Sequence, residues 1–302
     1  MSDKPRLTSP KEVRALLEKL GHRPNRGLGQ NYLIDANILD IIADTAGIQP
    51  DESVLEIGPG LGALTERIIP KARSVTCIEK DPTMAKYLRS RFLGGGTPSP
   101  ASALHQGSEQ ADSEDAVPPA FHLIESDALE VDLEELFAGG ITKVAANLPY
   151  SVASRLMVDM AECAHRPERM ALTIQKEVAD RLTAEPGSKQ FGILGILTGA
   201  YYVNTLVKKI SPTCFVPPPK VWSAVVKMER RGTALIGQAE YPLFKKLVKT
   251  CFSQRRKQIG TILKRTGISP VDELLAGAGI EHTERPERIG IDRWAELARL
   301  LS

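Results

Sequence analysis

Apolar residues recur in two rhythms along this chain. Short unbroken runs alternate with stretches in which apolar positions fall three and four residues apart, and the two patterns predict buried strands and amphipathic helices. The first helix opens at Ser9-Pro10-Lys11-Glu12, a capping box with proline at its first position. Val13, Leu16, Leu17 and Leu20 line one face and Gly21 stops it. A second helix begins at Asp35 and ends near Gly47. Strands are predicted at 54–57, 74–78, 121–126, 141–146 and 170–175. Between them lie helices over 63–69, from the Asp81-Pro82 cap to about Leu93, over 152–162 and over 177–184. Segments 201–207 and 223–228 alternate like a terminal antiparallel pair. After Arg231-Gly232 the pattern is helical to the end, over 241–253, 254–264, 271–278 and 291–301. Strands alternating with helices predict an α/β fold with a doubly wound, Rossmann-like sheet. A small C-terminal helical domain follows, with domains at 1–232 and 233–302.

Composition changes this picture in three places. Residues 94–120 are rich in Gly, Pro, Ser and acids and contain no Lys or Arg, so a disordered surface insertion is expected there. Charge is lopsided: residues 205–265 hold fourteen Lys and Arg against Glu229 and Glu240, inside a chain with 39 basic and 37 acidic residues. That concentration points to phosphate, hence nucleic acid. Cys77, Cys163, Cys214 and Cys251 form no C-x-x-C and read as small packed residues in a reducing cytoplasm. No metal spacing is present. No apolar run approaches the roughly 20 residues that span a bilayer, and the N-terminus has no secretory h-region. The chain is expected to be cytoplasmic and monomeric.

The chemistry centres on Val54-Leu55-Glu56-Ile57-Gly58-Pro59-Gly60-Leu61-Gly62. Strand, glycine turn, helix is the opening of a doubly wound nucleotide site. Gly58, Gly60 and Ala63 satisfy G-x-G-x-x-G/A, so a nicotinamide or flavin site is open at this point. Glu79 ends the next strand about 20 residues on, where a ribose-binding acid is expected with any such cofactor. Asn147-Leu148-Pro149-Tyr150, after the fourth strand, has no role in hydride transfer. It resembles the Asn-x-Pro-aromatic signature of amino-group methyltransferases that use S-adenosylmethionine.

Further motifs stand in order: Gly29-Gln30-Asn31-Tyr32-Leu33, Asp127-Ala128, Phe215-Val216-Pro217-Pro218-Pro219-Lys220-Val221 and Phe252-Ser253-Gln254-Arg255-Arg256-Lys257. Together they closely resemble the ribosomal RNA adenine dimethyltransferase family, over nearly the whole chain from Asn25 to Leu300. The resemblance implies S-adenosylmethionine-dependent N6,N6-dimethylation of two adjacent adenosines in the 3′-terminal hairpin of small-subunit (16S) rRNA, on a pre-30S particle. It implies that Asn31 and Leu33 close over the cofactor, that Gly58 lies beside its methionine portion and that Gly60 also binds the cofactor. Glu79 should hold the ribose hydroxyls, and Asp127 with Ala128 the adenine. Asn147 should sit where donor meets acceptor. Insertion 94–120 departs from the compact family pattern.

An adenine amino group is a poor nucleophile because its lone pair is delocalised into the ring. Acceptors at its hydrogens, the Asn147 side-chain carbonyl and the Leu148 backbone carbonyl, would draw the nitrogen toward tetrahedral geometry. Pro149 restricts Leu148 to extended geometry. Tyr150 offers a face to the extruded base. Phe215 is expected as a second wall for that base. Lys220, Arg255, Arg256 and Lys257 are expected on RNA.

The same chemistry is shared by a large-subunit rRNA methyltransferase that confers macrolide resistance. A non-catalytic ribosome-assembly factor and a nicotinamide oxidoreductase complete the alternatives. The intact glycine loop and Asn-Leu-Pro-Tyr turn argue against the assembly factor, and the turn alone against the oxidoreductase. The Asn-Leu-Pro-Tyr turn and the Pro-Pro-Pro-Lys-Val loop favour the small-subunit enzyme.

Overall fold

A computed structural model describes residues 5–24, 30–93 and 120–302. The expected insertion therefore lies outside the described residues, except for Ala120. Strands run in chain order β1 (Tyr32–Leu33), β2 (Ser53–Ile57), β3 (Ser74–Glu79), β4 (Ala120–Glu125), β5 (Ile141–Asn147), β6 (Arg169–Gln175), β7 (Tyr202–Ile210), β8 (Phe215–Val216) and β9 (Ser223–Arg230). The helices are α1 (Pro10–Lys19), α2 (Ala36–Ala46), α3 (Thr65–Ile68), α4 (Pro82–Phe92), α5 (Leu133–Ala138) and α6 (Ala153–Glu162). They continue with α7 (Lys176–Leu182), α8 (Ile193–Gly199), α9 (Tyr241–Phe252), α10 (Ile259–Arg265), α11 (Val271–Gly277) and α12 (Ile291–Leu300).

The main sheet has the order β4-β3-β2-β5-β6-β9-β7. Pairs β2·β3, β3·β4, β2·β5 and β5·β6 are parallel. Strand order reverses between β2 and β5, and a doubly wound sheet opens its ligand crevice at that switch point, beyond the carboxyl ends of the strands. Val54, Leu55, Val144, Ala145 and Ala146 are fully buried, as strands covered by helices on both faces require. A separate two-stranded pair, β1·β8, is antiparallel with Tyr32 opposite Val216 and Leu33 opposite Phe215.

Local signals act as expected at several helix starts. The carboxylates of Asp35 and Asp81 accept backbone N–H groups of α2 and α4, and Gly47 closes α2 in the left-handed conformation. Ser9 accepts from the Glu12 N–H, but the Glu12 carboxylate turns to the Arg6 N–H at 2.7 Å and the Arg6 guanidinium rather than to Ser9. The capping box is thus half formed.

By their internal contacts the residues fall into two compact units, 1–176 with 207–227, and 177–206 with 228–302. The second unit holds α8 to α12. Its α8 comes from an apolar run whose glycines are packing devices: a Cβ on Gly195 would lie 3.0 Å from the Arg181 carbonyl oxygen, and one on Gly199 would lie 2.5 Å from Ile291 Cδ1. Residues 254–257 turn between α9 and α10 instead of beginning a helix, so α10 starts at Ile259.

Candidate active site

β2 ends in Gly58 (φ +68°), Gly60 (φ +57°) and Gly62 (φ +83°), left-handed positions that strain any residue with a Cβ. The loop is tied to β3 at two points. The Gly58 N–H donates to the Ile78 carbonyl at 2.9 Å, and the Gly60 N–H donates to Glu79 Oε2 at 3.0 Å. A Cβ on Gly60 would lie 2.9 Å from Tyr32 Cε1.

Glu79 is buried at the end of β3. Its Oε1 accepts the Asp81 N–H at 2.8 Å and its Oε2 the Gly60 N–H. Burial raises its pKa despite these bonds. Each carboxylate oxygen keeps a second lone-pair direction, which leaves Glu79 able to accept from a diol. Asp127 caps its own turn, with Oδ1 accepting the Leu129 N–H at 3.0 Å, and Oδ2 lies 2.6 Å from Lys80 Nζ. The hydrogen bond from Lys80 holds its carboxyl below the usual range.

Asn147 closes β5 beside Thr173 of β6. The Leu148 N–H donates to the Thr173 carbonyl at 3.1 Å, and the Pro149 carbonyl accepts from Val152 and Ala153, so the turn runs straight into α6. A Cβ on Gly58 would lie 3.5 Å from Pro149 Cδ, which sets the glycine loop against the Asn-Leu-Pro-Tyr turn. Asn147 Nδ2 donates to the Asn31 carbonyl at 3.1 Å. Its Oδ1 is buried and has no hydrogen-bond partner among the described residues. The Tyr150 hydroxyl lies 2.6 Å from Ser223 Oγ.

The segment before β1 is clasped to the start of α4. His22 Nε2 lies 3.0 Å from both the Tyr32 hydroxyl and Gln30 Oε1, while Gln30 Nε2 donates to Asp81 Oδ2 at 3.0 Å. Residues 25–29 lie outside the described residues. Asn31 and Leu33 are described.

One cavity of about 230 Å³ gathers these groups. Asn31, Leu33, Gly58, Gly60, Glu79, Asp127, Ala128, Asn147, Leu148, Pro149 and Tyr150 all line it. Sequence reasoning missed several polar members, among them Gln30, Glu56 and Lys80. Glu56 is buried, and its Oε2 accepts from Thr65 Oγ1 at 2.6 Å. Burial pushes its pKa up to about 8. The available signal was a carboxylate inside an apolar strand.

The expected RNA residues are placed less uniformly. Phe215 does not line the cavity. Its pairing with Leu33 directs it into a core cluster with Ile210 and Val225, where it is 2 % exposed, so it supports β1 instead of walling the target base. Lys220, Arg256 and Lys257 are exposed. Arg255 is partly committed within its own unit: it donates to the carbonyls of Ser188 at 3.3 Å and Lys189 at 3.0 Å, and its Nε lies 3.7 Å from the Glu287 carboxylate. Among the described residues no group of acidic, His and Cys side chains is arranged to hold a metal, and no helix is long and apolar enough to cross a membrane.

Residues 21–302 match the model of a family described as ribosomal RNA adenine dimethylase. The chain is 37% identical to a ribosomal RNA small subunit methyltransferase A of Magnetococcus marinus, over 95% of both chains. It is 33% identical to the protein of that name from Alkaliphilus oremlandii, over 98% of both. Among solved structures, a dimethyladenosine transferase from Plasmodium falciparum superposes with a TM-score of 0.71 at 23% identity, covering 88% of this chain and 95% of that one. The 23S rRNA methyltransferase ErmE superposes with a TM-score of 0.64 at 26% identity, covering 89% and 98%.

Proposed function

The chain belongs to the ribosomal RNA adenine dimethylase family, and from that premise we propose a function and a division of labour within its site. The protein is an S-adenosylmethionine-dependent rRNA adenine dimethyltransferase of the small subunit. It converts two adjacent adenosines in the 3′-terminal hairpin of 16S rRNA to their N6,N6-dimethyl forms, acting as a cytoplasmic monomer on a pre-30S particle. Residues 1–232 carry the catalytic domain, and the helical residues 233–302 hold rRNA, with Arg256 and Lys257 on phosphate.

The residues of the cavity fit the cofactor. The acceptors Glu79 and Asp127, which line that cavity, match a ribose diol and an adenine amino group, and the close approach of Gly60 to Tyr32 keeps the loop against the cavity wall. S-adenosylmethionine, when bound, supplies the electrophilic methyl group. Glu79 accepts the ribose hydroxyls, Asp127 accepts the cofactor adenine's amino group while the Ala128 N–H donates to its ring, and Asn31 and Leu33 cover the site.

The observation that carries the catalytic assignment is the buried, unpartnered Asn147 Oδ1. A buried acceptor without a partner is costly unless a ligand supplies the donor. Nδ2 is anchored on Asn31, so Oδ1 is fixed in direction and accepts one N–H of the target adenine. The Leu148 carbonyl accepts the other. These two bonds favour the tetrahedral amino nitrogen whose lone pair attacks. Tyr150 stacks on the extruded base, its ring steadied through Ser223. No strong base is required, because the methylated nitrogen becomes acidic and loses its proton late. The work is alignment and preorganised electrostatics.

The test is nucleoside mass spectrometry of unmodified small-subunit particles incubated with S-adenosylmethionine and either the native protein or Asn147→Ala. Dimethyladenosine that appears in 16S rRNA and vanishes with the variant supports the reading. Particle binding without methylation would refute catalysis.

A further inference from the structure

Few large apolar side chains are exposed among the described residues, and two of them are neighbours: Val221, 46 % exposed, and Trp222, 52 % exposed. The other tryptophan, Trp294, is fully buried. Trp222 is not loosely placed. Its carbonyl accepts the Lys176 N–H at 2.9 Å, at the carboxyl end of β6. The next residue, Ser223, is fully buried and bonds the Tyr150 hydroxyl at 2.6 Å. An indole held out in water thus stands one residue from the group that orients the catalytic tyrosine, and the exposed Lys220 lies two residues before it. Nothing in the catalytic assignments above uses it.

Unstacked RNA bases are recognised by aromatic faces, with cations on the adjoining phosphates. Indole has the largest face among side chains, and its exposure costs solubility unless a ligand covers it. We propose that Trp222 is a stacking platform for the nucleotide adjacent to the target adenine, with Lys220 on the connecting phosphate. This rests on the reading of the protein as an RNA adenine methyltransferase. Two neighbouring adenosines give the platform a use: while one base is extruded against Tyr150, the other is parked on Trp222, and the strand moves one step between targets.

The probe is a synthetic RNA hairpin with two adjacent adenines in its loop, titrated into the full-length protein. The chain has two tryptophans, of which only Trp222 is accessible, so its fluorescence reports directly. Saturable quenching is expected with the native protein and none with Trp222→Phe. Trp222→Ala should weaken hairpin binding about five- to hundredfold, Trp222→Phe should restore most of it, and S-adenosylmethionine affinity should be unchanged in both. An abasic nucleotide beside the target should remove the difference between native protein and Trp222→Ala. Equal hairpin affinities with no quenching, in a protein that methylates particles, would overturn the platform and leave the enzymatic reading standing. Weaker binding of Trp222→Ala to assembled particles but not to the hairpin would overturn it in favour of a ribosomal protein. If native protein neither binds the hairpin nor methylates particles, the enzymatic reading fails and the platform with it.

Discussion

Asn147 and Asn31 meet across the cavity: the Asn147 amide donates to the Asn31 backbone carbonyl at 3.1 Å, and the opposite oxygen of that amide stays buried and free to accept. The N-terminal segment therefore aims the side chain proposed to meet the target adenine. Asn147→Ala should lower single-turnover methyl transfer by roughly 10²–10³-fold, the usual cost of removing one preorganised polar group from a reacting centre. Cofactor affinity, read by calorimetry, should fall much less. An equal loss in both would make Asn147 a binding residue only.

Glu79 holds the Gly60 and Asp81 N–H groups and faces the cavity. Glu79→Ala should raise the S-adenosylmethionine dissociation constant about 10–100-fold, as loss of charge-assisted hydrogen bonds does. Burial raises the Glu79 pKa, and protonation takes an acceptor oxygen out of use. Cofactor affinity of the native protein should therefore decline on acidification at a higher pH than an ordinary carboxylate would produce. A calorimetric pH series checks this, and an affinity flat down to the ordinary carboxylate range would contradict it.

Gly60 is confined twice, by its φ of +57° and by Tyr32 at 2.9 Å from any added Cβ. Gly60→Ala should cost about 1–2 kcal/mol in backbone strain alone and displace the Tyr32 side of the cavity. Gly232, with open space around it and no left-handed φ, is the control. Urea unfolding should show a lower midpoint for the first variant and little change for Gly232→Ala.

Glu56 is protonated in the folded protein up to a pH of about 8, whereas an unfolded chain ionises it in the ordinary carboxylate range. Between those limits the folded state binds the extra proton. Raising the pH through this window thus removes stability, by about 1.4 kcal/mol per pH unit from this group. The penalty is absent below the unfolded pKa and constant above the folded one. Glu56→Gln keeps an acceptor for Thr65 and removes the titration. Its stability relative to native protein should rise steadily from pH 5 to pH 8 in denaturant titrations. Parallel profiles would show that Glu56 ionises normally.

Much of the fold was legible because the strands leading into the site are short apolar runs ended by glycine, asparagine or a carboxylate. Runs 54–57, 74–78 and 141–146 lie within β2, β3 and β5, and the residues at their ends line one cavity. What was illegible depends on partners distant in sequence. Nothing near Phe215 announces that it faces Leu33, so an aromatic before three prolines reads as a base-stacking wall until the pairing buries it. Lys80 is adjacent to Glu79, but its ion pair with Asp127 exists only because β3 and β4 are parallel neighbours. Helix α8 was not predicted, and two of its glycines are close-approach sites that only the folded partners reveal.

Synthesis proceeds in one direction, and this gives the pairing of Tyr32–Leu33 with Phe215–Val216 a temporal meaning. The partner strand is made roughly 180 residues after the first, a delay of about 10–40 s at ordinary elongation rates. In that interval the nascent chain already carries the glycine loop, Glu79 and the Asn-Leu-Pro-Tyr turn, but not the strand against which Tyr32 and Leu33 seat. Until residues 215–216 emerge, Tyr32 and Leu33, which line the cavity, lack the strand they pair with.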